Sequence, residues 1–239
     1  VHGRHTASGR ALMQKPAPIR LALCIPSNGD WKADFGMSVL QMCVYMAAAP
    51  FNEGQERTVI VVDKRTSMLP RSRQESLEDA LNQNCTHALF VDTDQVFPQD
   101  TAHRLIAWGK PVVACNIPLK MAPSFPTARA RGAAAFGIPI TSDLPKEGLE
   151  KVGRVGAGIM LIDVAILAKI PKPWFEIPFS VKNAQFVGED WFFCGRAEAA
   201  GYDIYVDHTL SRQVGHVGNF TFTHAHIPKV DEATMMAAA

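Results

Sequence analysis

The chain has 239 residues, 47% of them hydrophobic and 20% charged, an ordinary globular composition with ample core for one large domain or two small ones. With 24 Lys and Arg against 23 Asp and Glu the net charge is +1. That excludes a global electrostatic attraction to nucleic acid or membrane, while a local basic groove stays open. No apolar run approaches the ~18–20 residues needed to span a bilayer.

Five cysteines, Cys24, Cys43, Cys85, Cys115 and Cys194, form no C-x-x-C pair, and each lies in or beside an apolar run. They read as buried free thiols in a reducing compartment, which makes the expected location cytoplasmic. The polar opening, residues 1–18, lacks an apolar signal region and reads as a disordered extension or tag.

Order is expected from Ile19. "IRLALCIP" reads as a strand closed by Pro26, and "ADFGMSVLQMCVYMAAA" as a helix with Met37, Leu40, Gln41, Val44 and Ala48 near helical spacing. "RTVIVVD" is a second buried strand ending at Asp63. "SRQESLEDALNQN" is a helix with Ser72 and Glu75 placed as a capping box. "HALFVD" is a third strand, Asp100 is placed to cap the helix "TAHRLIAW", Gly109 ends it, and "KPVVACNI" is a fourth strand. Strands apolar throughout that alternate with helices predict an α/β fold with a mostly parallel central sheet flanked by helices.

The second half is less regular. "RVGAGIMLIDVAILAKI" reads as a strand running into a helix, "GEDWFFCGRAEAAG" as a helix, "YDIYVD" as a strand and "SRQVGHVGNF" as a Gly-spaced loop. No repeat or linker is visible, so a single domain over 19–226 is expected, with a flexible tail at 227–239.

Ligands on such sheets bind beyond the carboxyl ends of the strands. Three of these ends carry chemistry: Pro26-Ser27-Asn28, Asp63-Lys64-Arg65 and Asp92-Thr93-Asp94. Two carboxylates one residue apart suit a hard divalent cation with few protein ligands and a substrate phosphate, or an acidic turn. Glu189 and Asp190 open a helix as caps or as a general base whose pKa Trp191, Phe192 and Phe193 raise by desolvation. His216, between Gly215 and Gly218, has the chemistry of a metal ligand. His224 and His226 alternate with apolar neighbours and are expected at the surface. Arg71 and Arg73 suit phosphate or an ordinary surface. Gly156-Ala157-Gly158 is not a dinucleotide fingerprint; its glycines clear space beside a ligand or make a bulge.

In order, "CIPSNGDW", "VVD", "PRSRQESLEDAL", "ALFVDTDQVFPQD", "GKPVVACNIPLK", "GAGIMLIDVAIL…PWF", "GEDWFFCGRAEAAGYDIYVD" and "GHVG" resemble the GT-A (Rossmann-like) fold of nucleotide-sugar-dependent glycosyltransferases, of the family-2-like, DxD-containing kind. The resemblance divides the domain into a nucleotide-binding half, 19–117, and an acceptor half, 118–226. It implies that Pro26 and Ser27 line the nucleotide pocket, Asp63 contacts the base, Arg73 sits near the diphosphate and Asp92 faces the ribose or the metal through water. It further implies Asp94 and His216 as ligands of Mn²⁺ or Mg²⁺, Asp190 or Glu189 near the sugar and acceptor, with Asp190 as base in an inverting reaction, and Gly158 and Trp174 beside the acceptor or donor sugar. Gln74 departs from the Ala-Arg-Asn that often opens this helix in relatives.

The implied donor is a UDP- or GDP-sugar. The acceptor is the hydroxyl of a glycan, small molecule or polymer, with a nucleic acid acceptor still open. A retaining enzyme would need no base. The alternatives are a sugar-1-phosphate nucleotidyltransferase, disfavoured because "IPSNGDWKADFG" has only Gly29 before the helical stretch where such enzymes carry a Gly-rich phosphate loop, and a non-catalytic nucleotide-sugar-binding module, which would not need Asp94, Asp190 and His216 together.

Overall fold

Alternation along the central strands decides how the layers form. In the computed structural model, which describes residues 16–49, 51, 54–132, 137–218 and 221–227, the first half comprises β1 (Ile19–Ser27), α1 (Ala33–Ala48), β2 (Arg57–Arg65), α2 (Leu69–Asn82), β3 (His87–Val91), β4 (Gln95–Val96), α3 (Thr101–Ala107) and β5 (Val112–Ala114). The second half comprises β6 (Leu149–Val152), β7 (Ile159–Asp163), β8 (Phe179–Ser180), β9 (Gln185–Phe186), α4 (Glu189–Ala199), β10 (Ile204–Asp207), α5 (His208–Ser211), β11 (Gly215–Val217) and β12 (Thr221–Phe222), with 3-10 turns at Val164–Lys169 and His224–His226. The expected extension and tail fall outside the described residues, save 16–18 and 227.

The main sheet has seven strands in the order β2-β1-β3-β7-β5-β10-β6. Strands β2, β1, β3, β5 and β10 share one direction, and β7 and β6 oppose it. The fold is a single α/β domain with a mostly parallel sheet between helices.

Successive side chains of a strand point to opposite faces. Leu21, Leu23, Ile25, Leu89 and Val91 therefore meet Phe35, Met42 and Met46 of α1 and Leu105 of α3. Ala22, Cys24, Ala88 and Phe90 meet Leu77 and Ala80 of α2 and Phe193 and Cys194 of α4. Each large apolar side chain fully buried this way contributes about 1.5–3 kcal/mol. The central strands are apolar throughout because both faces are covered. Four of the cysteines are buried free thiols, and Cys43 is half-buried.

Several local expectations are corrected. The α1 face over Met37, Leu40 and Val44 is exposed, and the helix instead buries Phe35, Ser38, Val39, Met42 and Met46. Both series repeat at helical spacing on a helix apolar on both sides, and register against β1 chooses between them. There is no capping box at Ser72, which lies inside α2 and donates its hydroxyl to the Lys64 carbonyl. Glu75 pairs with Arg71 instead. Asp100 holds the N-cap position of α3 without a side-chain cap bond.

"SRQVGHVGNF" is not all loop, because β11 pairs β4 on one side and β12 on the other. His224 is buried in a 3-10 turn, its Nε2 donating to the Asn116 carbonyl at 2.7 Å, whereas His226 is exposed. Among the described residues no helix is long and apolar enough to cross a membrane.

Candidate functional site

The strand ends meet as the doubly covered sheet requires. A cleft of about 300 Å³ is lined by Pro26, Ser27 and Asn28 at the end of β1, by Thr66, Ser67 and Leu69 after β2, and by Asp92, Thr93 and Asp94 after β3. Asp63 is not among these residues. β2 runs on to Arg65, and Asp63 turns beside it to accept the Arg65 Nε–H at 2.7 Å. The other Asp63 oxygen is buried without a partner among the described residues.

Asp94 is brought to His216 by a backbone clamp. β4 pairs antiparallel with β11 so that Gln95 faces His216, and the Val217 amide donates to the Asp94 carbonyl at 2.7 Å. His216 Nε2 then lies 3.3 Å from Asp94 Oδ1. The ring's other nitrogen, Nδ1, donates to the Pro118 carbonyl at 2.9 Å, since a carbonyl only accepts. This fixes Nε2 toward the carboxylate. In the imidazolium form Nε2–H donates to Asp94; in the neutral form its lone pair faces an anion, and only a cation between them satisfies both. Such a backbone anchor on the distal nitrogen is how metal-ligating histidines are oriented.

The remaining Asp94 partners are Gln95 Nε2, 3.1 Å from Oδ1, and the Lys120 ammonium on Oδ2. Burial pushes the Asp94 carboxyl up, but hydrogen bonds from His216 and Lys120 outweigh it and hold the group well below the usual carboxylate range.

Asp92 and α4 are joined through Arg73. The guanidinium is 2% exposed. Its Nη2 donates to both Asp92 oxygens, at 2.9 and 3.2 Å, its Nε to Glu189 Oε1 at 3.1 Å, and its Nη1 to the Ala157 carbonyl at 3.3 Å. The guanidinium also sits 5.3 Å from the Phe90 ring centre. Arg73, expected near a diphosphate, is thus spent on two carboxylates. A buried cation costs several kcal/mol unless anions meet it, and Asp92 and Glu189 are those anions. Burial raises the Asp92 pKa and Arg73 pulls it back. Glu189 is the buried counter-ion of Arg73.

Among the described residues no cation pairs with Asp190 in this way. Its Oδ1 accepts the Trp191 amide N–H at 2.7 Å. Burial first, then the Glu189 charge, push its pKa up to about 6, against the pull of Arg73. Gly188 makes this pose possible: a Cβ there would lie 2.7 Å from Asp190 Oδ1. Gly188→Ala is expected to swing the carboxylate away while leaving the melting temperature near wild type, because Gly188 has an ordinary φ of −60°. Were Asp190 a general base, as proposed below, misplacing it by about 1 Å would cost on the order of 10²-fold in rate, and steady-state kinetics beside a thermal melt measure both.

Gly158 clears space for the protein's own side chains. A Cβ would meet Ile117 Cδ1 at 2.9 Å, and Asp92 Oδ2 and Gln95 Nε2 each at 3.4 Å. Its carbonyl accepts the Asp92 amide. Trp174, expected beside a sugar, is 3% exposed in the core, with its indole N–H on the Ile170 carbonyl and its amide on Gln74 Oε1. Gln74 thereby ties α2 to the segment before β8.

Three contributors escaped the sequence reading. Thr66 and Ser67 supply the β2 side of the cleft, and Lys120 supplies a cation from the loop after β5. A lone lysine after a strand that ends on the crevice side was the available signal for Lys120.

Among the described residues no group of three or more His, Cys, Asp and Glu is gathered as for a metal ion. Asp94 and His216 are a two-donor set. They fit a hard divalent cation that keeps waters and takes phosphate oxygens, and they do not fit a closed structural site.

The site sits at the carboxyl-end crevice of a seven-stranded α/β sheet, the place where such folds bind ligands. The fold is shared with A197 from STIV, with a TM-score of 0.55, 17% identity, and coverage of 89% of this chain and 98% of that one. The catalytic domain of Drosophila beta1,4galactosyltransferase 7 in complex with xylobiose aligns with a TM-score of 0.47 and 13% identity, over 92% of this chain and 80% of that one. No protein-family model and no curated protein matches the sequence. At these identities the likeness to A197 carries the fold and nothing about chemistry.

Proposed function

We propose that the protein is a metal-dependent glycosyltransferase of the GT-A kind, moving a sugar from a nucleoside-diphosphate donor to an acceptor hydroxyl. One observation carries the reading: Asp94, which lines the strand-end cleft, and His216, far away in sequence, are clamped 3.3 Å apart. Pro26, Ser27, Thr66 and Ser67 offer backbone and hydroxyl groups to the nucleotide. Asp92 keeps part of its carboxylate on the cleft, placed for a ribose hydroxyl.

A bound Mn²⁺ or Mg²⁺, held by Asp94 and His216, would supply Lewis-acid neutralisation of the leaving diphosphate. Asp190, with a pKa of about 6, is ionised at neutral pH yet basic enough to take the proton of an attacking hydroxyl. This favours an inverting displacement. Arg73 holds Asp92 and, through Glu189, the start of α4, so the donor side and the base side share one buried cation.

The test is a thermal-shift panel of UDP-, GDP-, CMP- and dTDP-sugars with and without Mn²⁺, because a ligand specific to the folded state raises apparent stability. One donor class is expected to stabilise the wild type only with metal, and Asp94→Ala is expected to lose that stabilisation. Transfer by Asp94→Ala at the wild-type rate in the presence of a chelator would overturn the reading.

A further inference from the structure

Resting on the reading above, we infer that Lys120 is the counter-ion of Asp94 when no divalent cation is bound, and that it passes to the donor diphosphate when one is.

Asp94 has no unoccupied oxygen. His216 and Gln95 take Oδ1 and the Lys120 ammonium takes Oδ2. A divalent ion held between Oδ1 and His216 Nε2 would lie within a few ångströms of the ammonium on Oδ2, and like charges that close repel strongly enough to displace Lys120. Lys120 is built to be displaced. Its side chain is 33% exposed, and lysine is a compact point charge on a flexible stem with no fork geometry to lose.

Its backbone is held on both sides. The Leu119 amide donates to the Phe125 carbonyl at 2.9 Å, and the Leu119 carbonyl accepts the Met121 amide and the Ser124 hydroxyl. The ammonium thus moves while the loop stays. The same loop orients the second ligand, because Pro118, two residues before Lys120, accepts the His216 Nδ1–H. One short segment after β5 thus aims His216 at one oxygen of Asp94 and keeps a monovalent counter-ion on the other. A diphosphate beside Asp94 is the nearest new anion for the released ammonium.

The experiment compares wild type with Lys120→Met, and with Lys120→Gln should the first variant fail to fold. Mn²⁺ binding is read by electron paramagnetic resonance of the free aquo ion, and pyrophosphate binding by calorimetry at saturating Mg²⁺. Removing the competitor is expected to tighten Mn²⁺ about tenfold, a coupling of ordinary size between two ligands of one group. Pyrophosphate is expected to bind about tenfold more weakly, because its lysine is gone. Equal Mn²⁺ affinity in both proteins overturns the inference and leaves the metal site standing. Mn²⁺ bound by neither protein overturns both the inference and the metal-dependent function. Tighter Mn²⁺ with unchanged pyrophosphate overturns the transfer of Lys120 to the diphosphate.

Discussion

Asp190→Asn is expected to abolish sugar transfer while leaving donor binding intact. The amide has the shape of the carboxylate and still presents an oxygen to the Trp191 N–H, which lies 2.7 Å from Asp190 Oδ1. What it loses is the capacity to accept a proton, and a positioned general base contributes about 10²–10⁴-fold. The wild-type pH profile gives an independent check. As the proposed base Asp190 would act only when ionised, so kcat/KM is expected to rise with pH through the group's pKa of about 6 and level off above it. The residual activity of Asp190→Asn lacks that acid limb. A variant with near wild-type turnover, or a wild-type profile flat between about pH 5 and 7, removes Asp190 as the base and with it the inverting mechanism.

The parts of this fold that were legible in the sequence are those fixed by local pattern. β1 and β3 are apolar at nearly every position because both faces are covered, and such runs announce themselves. The strand-end crevice followed from the alternation of strands with helices, and Pro26, Ser27, Asp92 and Asp94 were placed on it by that logic alone.

Local pattern failed where partners across space decide. β7 enters antiparallel between β3 and β5, and nothing within "IMLID" encodes strand direction. That insertion sets Gly158 against Asp92 and gives the glycine a packing reason. α1 carries apolar residues on two faces, so periodicity could not choose between them. Trp174 was set beside a sugar only by the family resemblance, yet Gln74 and Ile170 hold it inside. His216 was recognised by its glycines, but the backbone clamp that brings it to Asp94 is a long-range pairing of two very short strands.

Arg73→Met is expected to be the most destabilising single change near the site. Arg73 is buried and pairs both with Asp92 and with Glu189, the latter 116 residues away in sequence. Methionine fills much of the volume but leaves two carboxylates facing a third, Asp190, with no cation among them. Removing one partner of a buried ionic network costs about 3–5 kcal/mol. The loss lies toward the low end, because the Asp92 side chain keeps 31% of its surface and so keeps some water. For a chain of this size each kcal/mol lowers the melting temperature by about 2–4 °C, so a fall on the order of 10 °C is expected by calorimetry.

Arg73→Lys rescues only in part, since an ammonium lacks the planar fork that spans both carboxylates and the Ala157 carbonyl. Glu189→Gln placed on Arg73→Met recovers part of the stability by removing one orphaned charge. The same substitution has a kinetic signature that loss of packing alone does not produce. Arg73 holds the Asp190 pKa down, so without it the acid limb of kcat/KM moves to higher pH. A melting temperature unchanged in Arg73→Met, together with an acid limb still near pH 6, would show that Arg73 neither supports the fold nor tunes the base.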